Sequence, residues 1–251
     1  MPADDLTRFL QDWPHEPGRI NVRRIVATDG RQLIQVRIDL GVLQMEVDGR
    51  PDGHRPDGLE SLLEVATSRL DQYVRESGRR DSFVLSGEEC RALREEAIQY
   101  YHRYVALFAL GDFAGVIRDT SRNLKVFDLC RDHAADEVDR FLLEQFRPQV
   151  IAMRTRAEAE LALQGEQPKQ ALRAIDRGLA ELRTTFQELD REGEYEQANE
   201  VHLLQGMRDA LVPKLPASQR AELEERLRSA LDAENYELAA ILRDELRMLE
   251  H

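Results

Sequence analysis

Two Arg-Pro-Asp-Gly tetrads, Arg50–Gly53 and Arg55–Gly58, flank His54. Proline fixes φ and glycine permits a positive one, so Pro followed by Asp-Gly favours two successive tight turns. On such a rigid loop Arg50, His54 and Arg55, with the two aspartates, have the makings of a small polar site for an anionic ligand or a peptide. The simpler reading is a connector from a strand to a helix, with its charges solvated. No sequence-local partner orients His54 for acid–base catalysis.

Other chemistry is sparse. His133-Ala-Ala-Asp136 sets two polar groups three residues apart, too few ligands for a metal, and reads as a surface pair. Cys90 and Cys130 form no Cys-x-x-Cys pair, so neither a zinc finger nor a disulfide framework is indicated; both fall in helical patterns as buried thiols. The chain has no Gly-rich phosphate loop, no His-Glu-x-x-His and no Gly-x-Ser-x-Gly. No catalytic, cofactor or metal site is therefore expected, and the chain reads as a binding protein rather than an enzyme. A net charge of −13 argues against nucleic acid as the main partner, because each phosphate contact needs a cation. No apolar run reaches membrane-spanning length and the N-terminus does not read as a signal peptide, which sets the expectation of a cytoplasmic protein without membrane contact.

The expected architecture is mainly α with a small N-terminal antiparallel β-sheet. An amphipathic turn or helix over 4–13, with Leu6, Phe9, Leu10 and Trp13 on one face, ends at Pro14 and Pro17. Residues 20–47 alternate in period two, with Ile34, Val36 and Ile38 on one side and Thr28-Asp29-Gly30 as a hairpin signal, predicting three strands. Asp57 is placed to cap a helix over about 58–77 that Gly78 stops. Ser86-Gly87-Glu88-Glu89 has the order of a capping box, with Leu85 and Cys90 set for a hydrophobic staple. Leu93, Ala97, Tyr101, Tyr104 and Phe108 follow on one face, and the chain turns at Leu110-Gly111-Asp112-Phe113. That pair of helices resembles a tetratricopeptide hairpin. A long helix over Val138–Leu163 is expected to kink or split at Pro148, then to turn at Gly165–Pro168 and again at Glu192–Tyr195. The turn glycines are unevenly spaced, so irregularly stacked helical hairpins describe the region better than a regular array; an ordinary bundle has the same periodicity.

The stretch Ala221–Leu249 reads as two short helices joined at Ala233-Glu234-Asn235, after a linker bracketed by Pro213 and Pro216, with Ser218 as a cap. Leu223, Leu227, Ala230 and Leu231 share a face of the first helix. The second carries two apolar stripes, one of Tyr236, Ala239, Leu242, Leu246 and Leu249 and one of Leu238, Ile241 and Met248, rotated by roughly 100°. The first helix can cover only one, so the other needs a further surface. The run Leu223-Glu224, Leu227, Ala230, Glu234-x-Tyr236-Glu237-x-Ala239-Ala240-x-Leu242-Arg243-Asp244-x-Leu246 closely resembles the UVR motif of the UvrB and UvrC subunits of bacterial nucleotide-excision repair, with copies in some Clp-type ATPases and in a protein-arginine kinase activator. Tyr236 stands where Phe is usual; the activator's zinc-binding cysteine pairs and the repair ATPase's helicase signatures are missing.

The resemblance implies a hairpin that pairs with another such hairpin, on a protein partner or a second copy of this chain. Leu227, Tyr236, Ala239, Ala240, Leu242, Arg243 and Leu246 are the expected partner-binding residues. Tyr236, Ala239, Leu242 and Leu246 are expected in the seam within or between hairpins, and Ala240 where helices approach closely enough to reject a glutamate. Arg243 and Asp244 either fix register or cap an exposed flank. The organisation expected is 1–80, a small α+β region; 81–212, helical hairpins; and 217–251, the docking hairpin of a non-enzymatic adaptor in repair or regulated proteolysis. The alternative is a ligand-binding or enzymatic N-terminal domain in which Arg23, Arg24, Arg50 and Arg55 serve an acidic ligand and the helices are scaffold.

Overall fold

The computed structural model describes residues 6–212, 218–232 and 235–248. The linker bracketed by Pro213 and Pro216, the Ser218 side chain, Ala233, Glu234 and Leu249 lie outside that description. The chain forms two compact units, residues 1–150 and 151–251. The division falls in the first turn of a helix, inside the stretch 81–212.

In the first unit, α1 (Thr7–Asp12) precedes an antiparallel meander of β1 (Asn21–Val26), β2 (Gln32–Ile38) and β3 (Gly41–Glu46). The register sets Arg24 opposite Ile34 and Ile34 opposite Met45, so Val22, Ile34, Val36, Leu43 and Met45 share one face. Ile34 and Met45 are buried at its centre. The opposite face carries a polar row: Arg23 donates to Gln35 Oε1 at 2.9 and 2.8 Å, and Gln35 Nε2 to Gln44 Oε1 at 2.9 Å. The Arg23 guanidinium also lies 4.0 Å from the Trp13 ring centre, a cation–π contact that joins α1 to the sheet.

α2 (Leu62–Ser77) starts later than expected, and Asp57 is not its cap. Asp57 sits at φ 50° inside a 3-10 turn, while the Ser61 side chain accepts from Glu64 N at 3.2 Å and Glu64 reaches back to Glu60 N at 2.7 Å. A hydroxyl three residues before a glutamate satisfies the free amides of a first turn, whereas Asp57 is held away by its backbone. Gly78 ends α2 at φ 68°.

α3 (Gly87–Ala109) opens on the expected capping box, with Ser86 Oγ accepting from Glu89 N and the Glu89 carboxylate from Ser86 N at 2.8 Å. Leu85 and Cys90 are both fully buried. Gly111, at φ 74°, turns the chain into α4 (Phe113–His133), where the Asp112 side chain accepts from Gly115 N at 3.0 Å. α3 and α4 pack as an antiparallel pair around Leu93, Ala97, Tyr104, Leu107, Leu124 and Phe127. Tyr101 is exposed, and Tyr100 takes the buried place. The expected helix over Val138–Leu163 is split: α5 (Glu137–Phe141), a 3-10 turn, then α6 (Arg147–Gln164) with Pro148 in its first turn, where a missing N–H costs nothing.

In the second unit, α6 runs to the turn at Gly165–Gln167, where Glu166 adopts φ 56°. α7 (Pro168–Glu188) follows, with Pro at its first position, then a 3-10 turn at Glu192–Gln197 and α8 (Asn199–Leu211). The hairpin α9 (Ser218–Asp232) and α10 (Tyr236–Met248) completes the unit. No helix among the described residues is long and apolar enough to cross a membrane.

Candidate functional site

At roughly 100° per residue, α10 divides into three faces. Ala239, Leu242 and Leu246 form the first. Ala239 and Leu242 are buried and Leu246 half-buried, against Leu223, Leu227 and Ala230 of α9, with Leu172 of α7 and Val212 in the same cluster. Tyr236 does not belong to this seam: it is 68% exposed. Leu231, at the edge of the α9 stripe, is exposed as well.

Leu238, Ile241, Glu245 and Met248 make the second face. It borders a cleft of about 610 Å³, walled opposite by Leu179, Ala180 and Arg183 of α7 and by Arg208 of α8. The second stripe thus meets a surface within its own chain, though incompletely, since Leu238 and Ile241 stay 38% and 40% exposed. Glu245 interrupts the stripe yet is buried, ion-paired with Arg208, whose Nε also donates to Asp176 Oδ1 at 2.9 Å.

The third face, Tyr236, Ala240, Arg243 and Arg247, points outward. Ala240 is exposed, so no helix among the described residues approaches it closely within the hairpin. The reason is rotational: Ala240 lies one residue, about 100°, past the seam residue Ala239. Arg243 is exposed beside Asp244, at 3.4 Å. Of the seven residues expected to bind a partner, Ala239 and Leu242 hold the hairpin together, Leu227 and Leu246 flank them, and Tyr236, Ala240 and Arg243 present a surface.

The Arg-Pro-Asp-Gly loop joins β3 to α2, and one of its charges, Arg50, is not solvated. Arg50, His54 and Arg55 do line one cavity, of about 240 Å³, but Glu46, Asp48 and Glu60 line it too. His54 and Arg55 are exposed. The Arg50 side chain is mostly buried, its Nε 3.1 Å from Asp52 and 3.5 Å from the buried Glu96. Glu96 also accepts from Leu62 N at 2.8 Å and pairs with Arg122. Burial, with the neighbouring Arg50 cation adding to it, pushes the Arg122 guanidinium down to about 9. Arg103, fully buried, grips Asp119 through two bonds of 2.6 and 2.9 Å and donates to the carbonyls of Glu46 and Gly49 at 3.1 and 2.7 Å. Arg118 Nη2 donates to Val47 O at 2.9 Å. The two arginines from α3 and α4 therefore bind the backbone at the start of the loop. Reasoning from sequence missed them, although a signal exists: Glu96 and Arg103 fall between Leu93, Tyr100 and Leu107 on an apolar stripe, where a charge must be paired.

Arg23 and Arg24 do not join this cavity. As successive strand residues they point to opposite faces, Arg23 to Gln35 and Trp13, Arg24 to an ion pair with Asp112. His133 and Asp136 are not a surface pair. α4 ends at His133, which is buried edge-on to Phe83 at 5.4 Å, with neither ring nitrogen hydrogen-bonded among the described residues. Asp136 caps α5, accepting from Val138 N at 2.7 Å. Cys90 and Cys130 are free and buried; the Cys90 contact and burial push the Cys130 thiol up, the protonated and unreactive direction. No group of three potential metal ligands occurs among the described residues.

Residues 218–251 match the family model described as the UvrB/uvrC motif, UVR. The matched segment is α9, α10 and their junction, so the three faces above are those of a UVR hairpin. No curated protein and no solved structure matches the chain.

Proposed function

We propose that this protein is a non-enzymatic adaptor that engages a protein partner through the α9–α10 hairpin, the partner being another UVR-type hairpin or a second copy of this chain. The observation that carries the reading is the outward face of α10. Within a matched UVR segment, Tyr236, Ala240 and Arg243 form one contiguous surface that the hairpin's own packing does not use. An exposed tyrosine beside an alanine and an arginine has the composition of a docking anchor, with area, close approach and a charge to set register. Repair and regulated proteolysis are the two settings that the UVR resemblance brings.

Ala240→Glu tests it. The site is exposed, so the fold should tolerate the change within about 0.5 kcal/mol, while bulk and charge block the face. Affinity capture and sedimentation should show partner binding or self-association lost, with circular dichroism and thermal midpoint unchanged. Full retention of both would refute the reading.

A second reading keeps one observation in its favour, the convergence of Arg50, His54 and Arg55 on one cavity. It would take a small ligand with both positive and negative groups, since acids line the cavity too. A thermal-shift screen of the full chain against phosphorylated and zwitterionic metabolites, repeated with Arg55→Ala, separates it from the adaptor reading.

A further inference from the structure

Away from the hairpin, the first unit holds a cavity of about 590 Å³ whose walls all come from residues 91–150. Ile98, Tyr101 and Tyr104 approach it from one face of α3, three residues apart each time. Phe127 of α4, Leu143 after α5 and Val150 of α6 close its depth, and all three are buried. Ile98, Leu142 and Phe146 stand exposed at the mouth. Ion pairs hold the segment from α5 to α6 in place. Arg94 of α3 lies 2.5 Å from Asp139 of α5, and Arg147 lies 2.5 Å from Glu144 and 2.9 Å from Asp128 of α4. The cavity is therefore preformed, as small-molecule sites usually are.

The polar groups on its wall are few, and most are committed. Arg94 is held by Asp139, and Arg91 lies 3.3 Å from Glu95. The buried Asn123 donates to Ala97 O at 2.9 Å and accepts from Arg122 at 3.2 Å. Tyr104 differs. It is 2% exposed, yet its hydroxyl is hydrogen-bonded to no described residue. Burial, with Tyr101 beside it, pushes that hydroxyl up, so it keeps its proton and stands as a donor. A buried hydroxyl without a partner costs stability unless something meets it. An ordered water needs several polar partners, more than this apolar wall offers.

We propose that this cavity binds an uncharged aromatic small molecule with one carbonyl-type oxygen, which accepts a hydrogen bond from Tyr104 at the buried end. The aromatic part follows from the walls, where the rings of Tyr101, Tyr104, Phe127 and Phe146 offer edges and faces to a further ring. The neutral charge follows from the arginines. Both are already paired, so a carboxylate would enter the apolar depth without a cation. A partner helix across the mouth would cover Ile98 and Phe146 but leave the depth, and Tyr104, unmet. The site stands apart from the adaptor reading and does not rest on it.

The test is a methyl NMR titration of the full chain with three related probes, propiophenone, propylbenzene and benzoate. Propiophenone should move the signals of Ile98, Leu143 and Val150 together, and bind about fivefold tighter than propylbenzene or better. Benzoate should move none of them. Tyr104→Phe keeps the ring and removes the hydroxyl. It should bring propiophenone down to the affinity of propylbenzene and leave propylbenzene binding unchanged. The proposal is overturned by silence with all three probes, by benzoate binding as well as the ketone, or by equal affinity for ketone and hydrocarbon in the wild type. Ketone affinity unaltered in Tyr104→Phe would overturn it too. So would movement limited to Ile98, which would mark a surface patch at the mouth in place of a site in the depth.

Discussion

At the scale of single residues, the loop between β3 and α2 shows how neighbours in sequence divide between structural and exposed roles. Arg50 is drawn inward because Glu96 is buried and needs cations; His54 and Arg55, a few residues on, remain at the surface. Three substitutions that look alike in sequence should therefore differ. His54→Ala and Arg55→Ala are expected to change stability by less than about 0.5 kcal/mol. Arg50→Ala removes one of the two cations serving a desolvated carboxylate and should cost about 1–3 kcal/mol. Urea unfolding of the three variants checks the order. Equal, small effects would mean that Arg122 alone suffices for Glu96.

At the scale of elements, the α3 terminus and the α6–α7 contact make opposite demands. The α3 capping box is electrostatic and so depends on pH. Burial raises the Glu89 carboxyl, but bonds from Ser86 and the Arg69 guanidinium outweigh it and hold the group below its ordinary 4.5. A carboxyl depressed in the folded state adds stability above its unfolded value, and loses it as pH falls through the folded one. Wild type should therefore lose part of its margin over Ser86→Ala as pH falls below about 4.5, while at pH 7 that substitution should cost about 1 kcal/mol. Thermal unfolding at the two pH values reads this directly. The contact between α6 and α7 is steric instead. A Cβ on Gly178 would stand 2.2 Å from Thr155 Oγ1, and Thr155 is itself buried. Gly178→Ala, normally favourable in a helix, should here destabilise by about 1–3 kcal/mol, which chemical denaturation would measure.

At the scale of the whole molecule, folding and docking use different faces of one helix and should be separable. Leu242 is 1% exposed in the seam, whereas Ala240 faces outward. Leu242→Ala leaves a cavity and should lower the stability of the second unit by about 2–5 kcal/mol, with partner capture falling as the hairpin unravels. Ala240→Glu should leave stability alone and abolish capture. Calorimetry of both variants beside the capture assay distinguishes a lost surface from a lost fold. Identical melting of the two would mean that the outward face is load for the fold as well.

Local periodicity was enough to read the sheet, the α3 capping box, the turn at Gly111 and the two stripes of α10, because each depends on residues a few positions apart. The UVR segment was legible for the same reason: its spacing is a property of one hairpin. Asp57 against Ser61 as the cap of α2 was decided by a backbone twist that composition does not report. The pairing of Arg103 with Asp119 and of Arg50 with Glu96, the exposure of Tyr236 and Ala240, and the closure of Arg208 on Glu245 were settled only by tertiary structure. Each depends on which element lies opposite a side chain, and burial makes a charge choose a partner tens of residues away in the chain.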